Sequence, residues 1–363
     1  KEVCERDDID LLAITTPWPL HTPQAVYAME QGKHVYTELP AALTIEQCWQ
    51  LVETSERTRQ HCFQIASDCH GGISAVLLNM VRRGYFGELI HGEGAYIHAR
   101  VSDQQRWTRD EFGWFGFRPW RLEQNIGKHG SLYPHHGLGP VAQMMDLNYG
   151  DQMDYLVSMS GADFTLDGKM RELAGGDEYW DPYVGRDFRG NMNTSVIRTK
   201  RGRTIVIQHD VSSPRPNVRF DMISGTKATF QSGPPRISTG HEGWLSREEF
   251  DALVEEYTPE IVKRFDEAVQ KAEIGRAERS YARTHARDWR LIDCLRNGLP
   301  LENDVYDAAL WSSVIPLSVH SGANRSNSVD VPDFTSGAWE TNQRGMDINL
   351  EKGGGNTGLI NWG

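Results

Sequence analysis

At 363 residues the chain is longer than one hydrophobic core usually sustains, so two domains are expected. Its 38 lysines and arginines against 50 acids give a net charge of −12 with no basic run. That balance argues against nucleic acid or anionic lipid as the main partner and leaves small neutral ligands open. Five cysteines (Cys4, Cys48, Cys62, Cys69, Cys294) include no Cys-x-x-Cys pair, so neither a disulfide framework nor a zinc knuckle follows, and no apolar stretch reaches the roughly 20 residues of a membrane span.

The first 70 residues alternate strand and helix. "DIDLLAITTP" carries the continuous apolar run of a strand buried on both faces. Thr22 then offers a helix cap with Pro23 in the first turn, and the helix runs to Gly32. "HVYTEL" is a second strand. Thr44 and Gln47 form a capping-box pattern ahead of Ile45, Cys48, Trp49 and Val52, and "CFQIAS" is a third strand. This order predicts half of a doubly wound α/β sheet, whose ligands lie beyond the carboxyl ends of the strands, at Thr15 to His21, Glu38-Leu39-Pro40 and Ser67-Asp68. No Gly-x-Gly-x-x-Gly follows a strand. Either the fold does not bind a dinucleotide, or a strand, glycine-rich turn and helix lie upstream of Lys1; the second is expected, because half a sheet leaves an unprotected edge.

From residue 71 the pattern changes. A helix, a turn at Gly87 and a strand occupy "SAVLLNMVRRGYFGELIHGEGAYIHAR", and an aromatic, arginine-rich loop spans 106–121. A helix is read at "GPVAQMMDL", and alternating strands follow at "DYLVSMS", in a hairpin turning near Lys200-Arg201-Gly202, and at "VRFDMISGTKATFQ". Charged helices fill residues 246–286, and a polar, glycine-rich tail starts at Asn324. The expected organisation is α/β: residues 1–70 as the carboxyl-terminal half of a dinucleotide-binding domain, 71–335 as an α+β domain with a large, mainly antiparallel sheet for substrate and oligomerisation, and 336–363 as an extended tail.

Three stretches at strand tips, "TTPWPLH", "TELP" and "SLYPHHGLGP", resemble the Gfo/Idh/MocA oxidoreductase superfamily, and within it glycoside hydrolase family 109, the NAD-dependent α-N-acetylgalactosaminidases. The likeness continues through "GELIHGEGAYIH", "NMNTSVIRTKRGRTIVIQHDVSSPRP" and "ISGTKATFQ", covering roughly residues 5 to 230 and more weakly to about 335. Dehydrogenases of the superfamily carry Glu-Lys-Pro where this chain has Glu38-Leu39-Pro40, and an aspartate where it has Leu132, four residues before His136. Family 109 also has an aliphatic residue in place of that lysine, and a Tyr-Pro-x-His stretch.

The resemblance implies NAD as cofactor and a carbohydrate substrate. It implies transient oxidation at the sugar C3, loss of the acidified C2 proton, elimination of the glycosidic oxygen, addition of water and return of the hydride. Such a route does without the paired carboxylates of most glycosidases. Carried over position by position, Trp18, Pro19, Leu20 and His21 line the cofactor, Glu38 and Leu39 flank its ribose, and Ser67 stands where the family has asparagine. Arg121 holds the sugar, Tyr133 touches sugar and cofactor, and His136 stands beside the reacting carbons, with Tyr133 and His136 as the catalytic pair. His70 and Asn217 replace family tyrosines and His135 a threonine, so these three bear on which sugar is held.

Other readings of the same residues stay open. Trp107, Trp114 and Trp120 either stack on sugar or anchor their loop. His209-Asp210 lies in a strand, where neighbours face opposite sides, which disfavours a catalytic pair. Adjacent His135 and His136 make a poor metal site, and none is expected. An NAD(P)-dependent sugar dehydrogenase that releases a keto-sugar is the alternative enzyme, and a sugar-binding protein without catalysis the alternative class. A homodimer or higher oligomer is expected through the open sheet face.

Overall fold

The computed structural model describes residues 1–66, 69, 72–101, 107, 119–271, 286–343 and 347–353. Its amino-terminal part is the parallel unit expected. β1 (Leu11–Ile14), β2 (His34–Thr37) and β3 (Cys62–Gln64) pair in parallel in that order, linked by α1 (His21–Glu30) and α2 (Ile45–Thr58). Helix α1 buries Ala25, Ala28 and Met29, and α2 buries Cys48, Leu51 and Val52, spacings that put each set on one face. Thr44 caps α2 by accepting from Gln47 N at 3.2 Å, while the Gln47 side chain accepts from Leu43 N at 2.8 Å.

Thr22 is not a cap. A single 3-10 turn, Trp18–Leu20, feeds directly into α1, so the helix starts at His21, ahead of the Pro23 start that the Thr-Pro pair suggests. The Thr22 hydroxyl donates instead to Ala41 O at 2.8 Å, tying α1 to the turn after β2.

After α3 (Gly72–Arg82) comes β4 (Leu89–Ile97), the centre of the second sheet. The short α4 (Pro119–Glu123) and α5 (His135–Met144) precede β5 (Met153–Ser160), and α6 (Leu166–Ala174) separates β5 from β6 (Asn193–Thr199). β7 (Thr204–Asp210), β8 (Val218–Gly225), β9 (Thr229–Ser232) and β10 (Pro235–Ser238) follow. The eight-stranded order is β10-β9-β8-β4-β7-β6-β5-β11, where β11 is Val329–Asp330 in the polar tail, paired with β5. β4 runs parallel to β7 and antiparallel to β8; the other neighbours are antiparallel.

α7 (Arg247–Tyr257) packs on α3 and β10, and α8 (Glu260–Lys271) buries Ile261, Phe265 and Val269, with Phe265 against Trp289. α9 (Ala286–Asn297) lays Leu291 and Cys294 on Phe63, Leu11 and Tyr36 of the parallel sheet. The 19-residue α10 (Val305–Ala323) then runs between the two sheets, packed on α2, β3 and β5. It carries no amphipathic stripe because it is buried nearly all round, Trp311 completely. Its serines serve the backbones beside it: Ser318 Oγ accepts from Ser131 N and Ser321 Oγ from Ser158 N, both at 2.9 Å.

α5 lies on β4 with backbone against backbone. A Cβ on Gly137 would stand 2.1 Å from Ala95 N, and one on Gly94 would stand 2.4 Å from Gly137 O. Neither obstacle is a flexible side-chain end, so helix and strand would have to part. Gly137→Ala is therefore expected to cost at least roughly 1–3 kcal/mol in urea unfolding. Gly168→Ala, in α6 with nothing within 4 Å of the added carbon, should instead stabilise by about 0.5–1 kcal/mol. Equal small effects would show that the α5–β4 approach is not close.

Candidate active site

The carboxyl ends of β1 and β2 are tied together by His21. Its Nδ1 lies 2.7 Å from Pro40 O and its Nε2 2.6 Å from Thr16 O. Burial pushes its pKa down, while the two carbonyls and Glu38 oppose that by favouring the cation. The tie holds Trp18 and Leu39 in one aromatic cluster with Tyr133, beside the half-buried Glu38, whose Oε2 accepts from Leu39 N at 3.2 Å. Pro19 and Leu20 lie on the exposed side of the same turn.

The "SLYPHHGLGP" stretch enters this cluster from the other sheet. Leu132 N donates to His209 Nδ1 of β7 at 2.9 Å, which fixes the peptide before Tyr133. Pro134 takes the cap position of α5, so His135 and His136 fall in its first turn, ahead of the helix start read from the apolar run. The Tyr133 ring stacks on Trp18 (centroids 5.3 Å, 14°) and meets the Tyr96 ring edge-on at 4.7 Å. His136 stacks on Tyr96 at 5.0 Å and lies 5.0 Å from the Tyr133 ring. The phenol and imidazole are therefore side by side, with His136 the less buried of the two.

Burial pushes the Tyr133 phenol far above its usual range; Glu38 and Tyr96 add to this, and Arg121 and Arg219 pull against it. Arg121 lies 5.0 Å over the Trp18 ring and 5.0 Å over Trp120, and its Nε is buried with no hydrogen-bond partner among the described residues. A cavity of about 390 Å³ opens against Trp18 and Leu132, closed on the far side by Ile315, Pro316 and Val319 of α10.

Other expected residues stand apart. His135 turns away from His136, its Nε2 3.1 Å from Ser312 Oγ of α10. Asn217 is exposed on the approach to β8. Ser67, His70 and Trp114 lie outside the described residues. Trp107 meets Trp180 edge-on, and its Nε1 donates to Val101 O at 3.1 Å, while Trp120 meets Trp18. The sequence reading missed Tyr96 and Arg219. The period of two along Gly94, Tyr96 and His98 was the available signal: once Gly94 faces α5, Tyr96 must face the same way.

Trp18 and Leu39 form an apolar surface beside the Glu38 carboxylate at the parallel strand tips, a set of groups of the kind that would hold the ribosyl-nicotinamide end of a dinucleotide. Residues 1–65 match the oxidoreductase family with an NAD-binding Rossmann fold, which identifies NAD as the cofactor. Residues 73–341 match the carboxyl-terminal domain of glycosyl hydrolase 109. A glycosyl hydrolase family 109 protein of Shewanella sp. (strain W3-18-1) is 43% identical over 346 residues, 94% of this chain and 72% of the relative. Among solved structures, levoglucosan dehydrogenase in complex with NADH and levoglucosan matches at a TM-score of 0.63 and 17% identity, over 92% of this chain and 83% of that one. An inositol dehydrogenase homolog from Azotobacter vinelandii, complexed with NADH and myo-inositol, matches at 0.54 and 13%, over 91% and 80%. At these identities the structural likeness concerns the fold.

His135 and His209 are fully enclosed, and burial first, then His136 and His21 beside His135 and the Arg189 guanidinium beside His209, put both well below the usual histidine pKa. The unfolded chain binds protons at about pH 6.5 while these folded imidazoles stay neutral. Stability should be full above that pH and fall by up to about 1.4 kcal/mol per unit per histidine below it. Urea midpoints between pH 5 and 7 test this: His135→Gln should flatten the slope, and an unchanged slope would show that His135 is protonated in the fold.

Proposed function

The chain belongs to glycosyl hydrolase family 109, and from that premise we propose that it is an NAD-dependent glycosidase acting on α-N-acetylgalactosaminides or a closely related sugar. The proposed route is transient oxidation at sugar C3, its hydroxyl proton passing through His136 to solvent, then elimination across C2 and C1, addition of water there and return of the hydride and a proton to C3. One observation carries this reading: Leu39 and Leu132, the positions where the dehydrogenase pattern has lysine and aspartate, are apolar and buried. Proton handling falls to Tyr133 and His136, packed on Trp18 and Tyr96.

NAD, when bound, supplies a reversible hydride acceptor at C3. His136, partly exposed on the Tyr96 ring, takes the C2 proton at a ring nitrogen. Tyr133, its pKa raised by burial, holds its proton on Oη at neutral pH, gives it to the strongly basic departing glycosidic oxygen and recovers it from the water that adds at C1. Arg121 reaches a sugar oxygen with its Nε, the donor that has no partner among the described residues. Trp18, His21, Glu38 and Leu39 hold the nicotinamide end of the cofactor, and the cavity beside Trp18 gives room for the leaving group.

Kinetics on p-nitrophenyl α-N-acetylgalactosaminide test the assignment. His136→Ala and Tyr133→Phe should each lower kcat by about 10²–10⁴-fold, with no NADH accumulating at 340 nm in the wild type. NADH rising in step with product would instead identify a dehydrogenase that releases a keto-sugar.

A further inference from the structure

β8 carries a second guanidinium to the site. Arg219 Cζ lies 4.4 Å from the centroid of the Tyr96 ring, the ring on which His136 stacks. Its Nη1 is buried and has no hydrogen-bond partner, and no carboxylate pairs with Arg219, among the described residues. Arg121 flanks Tyr133 on the Trp18 side and Arg219 on the Tyr96 side. Both act electrostatically on the phenol.

A buried cationic N–H without an acceptor is unfavourable unless something completes it. The guanidinium fork matches planar sp² oxygens better than hydroxyls. If His136 takes the C2 proton, C2 and its substituent come beside His136, and Arg219 packs on the same Tyr96 ring that His136 stacks on. We propose that Arg219 is a substrate-binding residue whose unpartnered N–H receives the carbonyl oxygen of a 2-acylamino group on the sugar. This rests on the glycosidase reading, which sets where C2 lies. Asn217, two residues earlier and exposed, is not needed for it.

The test pairs two substrates with three enzymes. p-Nitrophenyl α-N-acetylgalactosaminide and p-nitrophenyl α-galactoside differ only in the C2 substituent. Their kcat/KM ratio is independent of how much of a variant is folded, since active-enzyme concentration cancels. Arg219→Met should lower that ratio by about 10- to 100-fold, the worth of a hydrogen bond to a charged donor. Arg219→Lys, which keeps the charge but loses the fork, should lower it less. A ratio unchanged in both variants, through equal loss on the two substrates or through no loss, would overturn the proposal. If the wild type turned over neither substrate, the glycosidase reading would fail by itself. Calorimetry with free N-acetylgalactosamine and galactose then decides about Arg219: binding selectivity lost in Arg219→Met supports it, and selectivity retained or absent overturns it.

Discussion

The site depends on one contact without side chains: the first turn of α5 resting on the middle of β4 through Gly137 and Gly94. Ordinary helix–sheet packing keeps backbones about 10 Å apart through interposed side chains; here a single added carbon would strike main-chain atoms. The close approach sets His136 flat on Tyr96 and leaves Tyr133 between Tyr96 and Trp18. A phenol and an imidazole from one loop thus meet the tips of a different sheet. Separating helix and strand by the width of a methyl group would move the pair together, off the Trp18 ring.

Around that contact, buried histidines place groups rather than react. His21 joins the tips of β1 and β2, His209 accepts the peptide N–H before Tyr133, and His135 faces Ser312 on α10. Each spans two elements that would otherwise be free to slide, and enclosure keeps His135 and His209 neutral. His136 differs from these two in being partly exposed, the condition a proton acceptor for a substrate requires. The arginines divide in the same way. Arg189 is wholly buried away from the cluster and donates to Asn125 Oδ1 and His209 O, while Arg121 and Arg219 lie over the rings that flank Tyr133.

The parallel half was legible from apolar runs with glycine and proline at their ends, although β1 is not buried on both faces as expected: Leu11 and Leu12 are half-buried and Ala13 is exposed. The helix start within 131–140 was not legible. An apolar run seemed to start the helix at Gly139, yet the helix begins at His135, because proline at the cap sets the first turn regardless of polarity. α10 escaped notice for the opposite reason: a helix buried all round has no stripe, and its serines look like loop residues until the backbones they serve are known. β11 is too short and polar to read, since its pairing is set by β5. Tyr96 and Arg219 escaped because alternation along a strand shows which residues share a face but not which face meets the ligand.

The central claim is that the sugar is oxidised and reduced again around an elimination, with His136 removing the C2 proton. The most direct measurement is the hydrogen content at C2 of the sugar released by wild-type enzyme in deuterated water. The account predicts deuterium at C2 in the product. A product whose C2 keeps its original hydrogen after complete hydrolysis would contradict it, because direct displacement at C1 never breaks that bond.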